Sequence, residues 1–483
     1  MAWVCIWAAL LHWLLAATNA CNGLRYVTQS FGDTFGFYVA TLYLQKGIEI
    51  LVREFAPPTP PSNPDANVAA AAAAGYLGVV IALLTLIVGF GSTQLGTPSS
   101  SLFRRPIRTF LTDYGTVAAL LIFTGISYAG RLRLTPLSHL PTAAAYSPTL
   151  PRPWLVPFYH LSAGRVFLAL PFGALLTLLF YFDHNISSLL AQGSGFPLKK
   201  PAGFHWDLAL LGLTTLVAGV LGLPAPNGLI PQAPFHTASL CVRGKVTPRD
   251  SLSRPSSSAA SARSDSASGR RQAGNDTQQI ERVVEQRVSN TIQGPIFLLF
   301  MTAPFLSILA LIPRAALAGL FFIMALQAYC SNGLTHTLLF LMRDRQHPTS
   351  QHDPLRTIRR RGAVWKFLCF QLVGFAATLA VTETLGAIAF PAVIVAMVPV
   401  RACVLPRYFG AEELAVLDRA VASEFTAESF GGVKVGGRAG RGEEKDRGEK
   451  DAGGSGSGSG SESGASSGGV VGDEEIGVRE RSR

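Results

Sequence analysis

Charge is scarce in this 483-residue chain. Asp, Glu, Lys and Arg make up 15% of it, against 48% hydrophobic residues. Soluble globular domains carry about a quarter charged residues, so this composition does not suit a globule surrounded by water. Cysteine is also sparse and scattered. Cys5, Cys21, Cys241, Cys330, Cys369 and Cys403 lie mostly inside apolar stretches, with no zinc-ligand spacing and no dense disulfide framework. Neither a Walker motif nor GxGxxG nor HExxH occurs, which removes support for ATP-driven transport and for nucleotide or protease chemistry. The expectation is a protein that is not an enzyme and needs no cofactor or metal.

The few charges are crowded into residues 102–108, 248–287, 343–366 and the segment after Glu412. Between them run apolar stretches of about 20 residues, the length that crosses a hydrocarbon core about 30 Å thick. Such a span must satisfy its own backbone hydrogen bonds, so each is expected to be a helix. Candidate spans are 2–20, 34–52, 70–90, 114–129, 166–190, 208–223, 292–312, 315–342, 364–381 and 388–405. Residues 1–20 end in Thr-Asn-Ala before Cys21, as a cleaved signal could, but they lack a basic start and are rich in Trp. A first transmembrane helix fits them better.

The net charge of +11 comes from 41 Lys and Arg against 30 Asp and Glu. Its placement beside apolar spans points to membrane topology rather than to nucleic acid. Loop 56–68 holds no Lys or Arg, whereas Arg104, Arg105 and Arg108, then Lys199 and Lys200, then 243–287, then 343–366 are basic. By the positive-inside rule these four loops and the C-terminal tail face the cytoplasm. Loop 130–162 falls outside on this parity, although it carries Arg131, Arg133 and Arg152. Residues 251–275 are rich in Ser, Ala and Arg, and 431–483 in Gly, Ser and charge. Both are too poor in apolar residues to offset the entropy of ordering. The first could hold phosphorylation sites or be a plain solvated linker.

Two stretches carry candidate chemistry. The span 166–190 contains Asp183-His184-Asn185 within LLTLLFYFDHNISSLL. A carboxylate at membrane depth is costly unless it faces protein or water, so Asp183 is a functional candidate that could carry a coupling proton. The plain alternative is a hydrogen bond to a neighbouring helix near the interface. The second stretch, LPAPNGLIPQAPFHTASLCV, cannot be one helix because Pro224, Pro226, Pro231, Pro234, Asn227 and Gly228 interrupt it. Irregular backbone at membrane depth lines a cavity or is buried by protein. Residues 234–242 are expected to restart as a half-helix with Pro in its first turn. Its free N–H groups around Phe235, His236 and Thr237 and its dipole would favour an anion, with Gln232 and Ser239 as further donors. An ordinary extramembrane turn is the alternative. Asp113, Lys46, Glu49 and Glu383 suit helix ends, and Glu285-Gln286-Arg287 suits either an anchor or a gate.

The words FGFYVATLYLQKGIEIL, YFDHNISSLL, GFHWDLALLGL, NGLIPQAPFHTASL, VVEQRVSN and IPRAALAGLFFIMAL resemble, in family order, the bicarbonate transporter family. That family includes animal chloride/bicarbonate exchangers and plant and fungal borate exporters, and NGLIPQAPFHTASL followed by EQRVSN is most similar to the borate branch. The resemblance implies an all-α polytopic membrane protein of fourteen segments in two inverted repeats of seven, split into core and gate and dimeric through the gate. It places the anion between the half-helices of segments three and ten. Residues 234–242 then correspond to segment ten, and Asp183 to the membrane carboxylate of segment eight. Gln232 stands where the chloride/bicarbonate exchangers have arginine, which favours a hydroxylated, weakly acidic cargo.

By the same resemblance Met1 falls in segment four, so this chain is expected to be N-terminally incomplete. The implied organisation is a transmembrane domain over 1–412, an insertion over 243–280 and a cytoplasmic tail over 413–483. The implied function is secondary transport of a small inorganic anion, borate first and bicarbonate or chloride second, coupled through Asp183 and His236. A truncated, non-transporting partner of a full-length copy is the reading of another class. The expected home is the plasma membrane, with the vacuolar membrane second. The expected partners are the anion, the lipid bilayer and a second copy of the chain.

Overall fold

The computed structural model describes residues 1–56, 64–96, 102–142, 144–148, 151–193, 195–228, 232–244, 279–343, 354–358, 360–384, 387, 390–419, 421 and 426. The proposed insertion 251–275 and tail 431–483 lie outside the described residues. Helices dominate what is described. Helix α1 (Ala2–Ala17) bends by 75° into the 3-10 helix Ala20–Tyr26 at Asn19, whose φ of 55° makes the turn. Then follow α2 (Gln29–Glu54), α3 (Pro64–Leu95), α4 (Arg105–Ser127), α5 (Ala163–Leu168), α6 (Leu170–Ala191), α7 (Phe204–Leu221) and the short α8 (Gln232–Ser239). After a hairpin come α9 (Val288–Phe300), α10 (Ala303–Leu309), α11 (Arg314–Ser331), α12 (Gly333–Met342), α13 (Arg361–Thr382), α14 (Phe390–Cys403), α15 (Leu405–Tyr408) and α16 (Ala411–Leu417).

Among the described residues six helices are long and apolar enough to cross a membrane, or eight if each sharply bent pair is one span. Two spans expected to be continuous are broken. The stretch 292–312 bends by 87° between α9 and α10, where extended Thr302 precedes an α10 that starts with Pro304 in its first turn. The stretch 315–342 breaks at Asn332, which is extended at ψ 134° and caps α12 by accepting the Leu334 N–H at 2.8 Å. Asn332 also donates to the Asp33 carbonyl at 2.8 Å, and the Gly333 N–H donates to Asp33 Oδ1 at 3.1 Å. Two side chains thus fix a break that hydropathy alone does not reveal.

The helices pack as two groups. In one, α1 lies along α7 and against α6; at Gly212 of α7 a Cβ would come 2.8 Å from Trp13 Nε1, so the close approach needs glycine. In the other, α2 and α3 lie along α11, with α4 against α3; Leu51, Ile81, Ala119, Ala315 and Phe322 fill the shared core. Helix α2 also reaches the first group through Phe31, Phe35 and Tyr38, which cluster with Phe180, Leu189 and Leu208. Large apolar side chains such as Leu14, Ile87, Leu121, Phe167 and Val217 remain exposed, as on a surface that lipid covers.

In the arginine-bearing loop 130–162, one arginine has a structural role. Arg152 donates to the Leu221 and Gly222 carbonyls at 3.1 and 2.9 Å, capping the C-terminus of α7. Lys200, before the other end of α7, meets Glu285 at 2.6 Å. The two loops therefore lie at opposite ends of that helix. A little sheet interrupts the helical pattern: β1 (Cys241–Gly244) pairs antiparallel with β2 (Gln279–Val283). It closes the base of the expected insertion 243–280, whose first and last described residues are hydrogen-bonded strand.

Candidate functional site

Helix α6 carries Asp183 among apolar neighbours, and the chain that follows α7 supplies its partner. Asn227 Nδ2 donates to Asp183 Oδ2 at 2.6 Å, while Asn227 Oδ1 accepts the Gly228 N–H at 2.8 Å. Pro224 and Pro226 remove two backbone donors and hold 223–228 out of helical structure. Gly228 lets this stretch rest on α6: a Cβ there would come 3.1 Å from His184 Cα and 3.2 Å from Ser187 Cβ. The sequence offers the composition needed for an irregular, buried crossing, and the fold uses one asparagine to satisfy both a carboxylate and a backbone donor.

Four positions beyond Gly228 begins α8, from Gln232 rather than from Pro234. Pro234 is then third in the helix, still in the first turn, where its missing N–H leaves no gap. Gln232 and Ala233 are the first two described residues of α8, and His236 and Thr237 the fifth and sixth. Gln232 Nε2 donates to the Tyr43 hydroxyl of α2 at 3.2 Å and approaches Met324 Sδ of α11 at 3.5 Å. Among the described residues, Gln232 Oε1 is enclosed without a hydrogen-bond partner. A buried acceptor left unmade is costly, and a hydroxylated ligand could satisfy it.

The predicted residues divide on this geometry. Asp183 is held by Asn227, and Gln232 meets Tyr43 and Met324. Phe235 and His236 are exposed, and Thr237 Oγ1 turns back to the Ala233 carbonyl at 3.4 Å. Asp183 is held by Asn227, and His184 follows it in the sequence. Asn227 and Tyr43 are members that sequence reasoning missed. The sequence marks Asn227 only as a helix breaker, and Tyr43 comes from 189 residues away with no local signal.

The weaker candidates have ordinary roles. Glu49 pairs with Lys46 and Arg53 on an exposed face, and Glu383 accepts from Gln45 at 2.8 Å. Glu285 accepts from Lys200 and Arg287, both at 2.6 Å, and those hydrogen bonds hold its carboxyl below the usual range. It is an exposed anchor between two loops. Among the described residues no three His, Cys, Asp or Glu side chains converge as a metal-binding group.

Comparison with known proteins bears on the same residues. Residues 62–250 and 255–422 match the family described as HCO3- transporter integral membrane domain. The Schizosaccharomyces pombe protein C543.05c is 40% identical over 422 residues, covering 87% of this chain and 75% of its own. Boron transporter 1 of Saccharomyces cerevisiae is 39% identical over 438 residues, covering 89% and 68%. Probable boron transporter 6 of Arabidopsis thaliana is 28% identical over 489 residues, covering 88% and 71%.

Proposed function

The chain belongs to the bicarbonate transporter family, a family of multi-pass membrane transporters, and on that premise we propose that it is a secondary active transporter whose cargo is boron, carried as borate or boric acid. The observation that supports this reading is Gln232 at the start of α8. It presents an enclosed, unpartnered carbonyl acceptor, and its amide donor is held by Tyr43. Among the described residues, the side chains that meet Gln232 and Asp183 by hydrogen bond are Asn227, Tyr43 and Met324, and none of them is a fixed cation. Boric acid and borate bring O–H donors to such an acceptor, whereas chloride brings none. Two or three hydrogen bonds at roughly 0.5–1.5 kcal/mol each suit a millimolar-range affinity, weak enough for release.

Transport on this reading is movement of the group holding α1, α6, α7 and α8 against the group holding α2, α3, α4 and α11. The Gln232–Tyr43 hydrogen bond joins the two groups beside the cargo, and Asp183 is the carboxylate through which a proton can be coupled. Dimerisation through the second group and residence in the plasma membrane are part of the same proposal. The names of two curated relatives, both boron transporters, support the cargo. Bicarbonate is the second reading, favoured by the description of the matching family domain. The test is boron retained by cells loaded with borate, measured by mass spectrometry with and without expression of the chain. Faster boron loss, unaffected by excess bicarbonate, is expected; loss of chloride or bicarbonate instead of boron would assign the cargo to the second reading.

A further inference from the structure

Beyond α16 the chain returns to the end of the molecule where α7 begins, and there it touches both helix groups. Leu414, Val416 and Leu417 of α16 pack on the cluster that holds Phe367 of α13 and Phe409. The next residue, Asp418, is buried, and its carboxylate has two partners. Arg401 Nε of α14 donates to Oδ2 at 2.7 Å, and the Ser30 N–H in the first turn of α2 donates to Oδ1 at 3.3 Å. The Arg419 carbonyl accepts the Gln29 N–H at 2.8 Å. Thr28, at the N-cap of α2, meets Ser30 Oγ at 3.2 Å and makes no side-chain cap bond. The first donors of α2 are thus met by a segment 388 positions away, and a carboxylate suits that end of a helix.

The contact with the other helix group is slighter. Val421 rests half-buried on the cluster that joins Phe31 of α2 to Leu189 of α6 and Phe204 of α7. Thr426, 2% exposed, donates its hydroxyl at 3.3 Å to the carbonyl of Gln192, the residue that ends α6. Breaking the Asp418–Arg401 pair would leave a buried carboxylate without its partner, which is costly. Parting Thr426 from Gln192 gives up one neutral hydrogen bond, which is not. One side of the segment is therefore an anchor and the other a catch.

We propose that the segment carrying Asp418, Arg419, Val421 and Thr426 is a strap that holds the end of α6 to the start of α2 and restrains movement of the first helix group against the second. Asp418 fixes it to α2 and α14, and Val421 and Thr426 are the contacts that let go. Helix α6 also carries Asp183, so the strap acts on the helix that bears the membrane carboxylate. The engaged state is favoured by the catch contacts alone, so weakening them shifts the population towards the released state.

The strap stands on these contacts; only its effect on flux rests on the transport reading. The test compares the full chain with Thr426→Ala, Val421→Asp and Asp418→Asn in lipid nanodiscs, by hydrogen exchange and mass spectrometry. Thr426→Ala and Val421→Asp are expected to speed exchange at 188–193 and leave 29–34 as in the parent, whereas Asp418→Asn speeds both. Boron loss from loaded cells should rise about two- to tenfold in Thr426→Ala and Val421→Asp, the range set by one neutral hydrogen bond. Gln192→Cys combined with Thr426→Cys supplies the converse arm. Oxidising that pair should slow boron loss, reduction should restore it, and Thr426→Cys alone should not respond. Parental exchange at 188–193 in every variant, or a cross-link that forms without slowing flux, would overturn the proposal. Should Val421→Asp fail to fold, Thr426→Ala and the cross-link still decide it. Exchange that responds as expected in a protein that moves no boron would overturn the cargo and leave the strap standing.

Discussion

Asn227 donates its side-chain amide to Asp183 at 2.6 Å and accepts the Gly228 N–H at 2.8 Å, so one side chain joins the membrane carboxylate to the backbone leading into α8. The arrangement leaves Asp183 and Asn227 each placed by the other. Asn227→Ala removes the partner of a buried carboxylate and of a backbone donor together. A loss of about 1–3 kcal/mol in stability is expected, read as a lower thermal unfolding temperature in detergent. Asn227→Asp should be worse, because it sets a second carboxylate against the first. Unfolding temperatures equal to the parent in both variants would mean the contact does not form.

Asp183→Asn is expected to impair boron flux or change its pH dependence far more than it lowers expression. The amide keeps the shape and can still hydrogen-bond Asn227, but it cannot take up or release a proton. Flux measured against pH in expressing cells is the check. An unchanged rate and an unchanged profile would leave Asp183 with a purely structural role.

Tyr43→Phe deletes the hydroxyl that receives Gln232 from across the two helix groups and leaves the ring packed near Phe321. The hydrogen bond is worth roughly 0.5–1.5 kcal/mol, so a change of about two- to tenfold in apparent affinity for boron is expected, with normal expression. Unaltered affinity would place Tyr43 outside the cargo's reach.

Loops holding Arg104, Lys199, residues 251–275 and residues 343–361 are expected to face the cytoplasm together. Lys200 and Glu285 already meet at one end of α7 and Arg152 caps the other. Single cysteines placed in 251–275 should resist an impermeant thiol reagent in intact cells and react after permeabilisation. Labelling from outside would invert the topology.

Much of this architecture is legible in the sequence, and its limits have physical causes. Apolar runs of membrane length announce most of the spans because a lipid-facing helix needs nothing else. Hydropathy says nothing about the breaks at Thr302 and Asn332, since the broken spans are as apolar as straight ones. The break at Asn332 is fixed by Asp33, some 300 residues away. Asp183 and Gln232 stand out as polar residues in apolar surroundings, and the prolines mark α8 as a restart. The partners Asn227 and Tyr43 do not, because a hydrogen bond between distant segments leaves no pattern in either one alone. His236, by type and position a candidate coupling residue, is exposed on α8.

Gln232 gives the most direct test of cargo and site together. Gln232→Ala removes the enclosed acceptor and the Tyr43 contact, and Gln232→Arg sets a fixed cation at the start of α8, where charge is favoured over hydroxyl donors. The measurement is competitive uptake of borate against chloride and bicarbonate in cells expressing each variant. About tenfold weaker apparent affinity for boron is expected in Gln232→Ala, the effect of roughly 1.4 kcal/mol, and a shift of preference towards chloride or bicarbonate in Gln232→Arg. Boron affinity and anion preference unmoved by either substitution would contradict the assignment of the cargo site to α8.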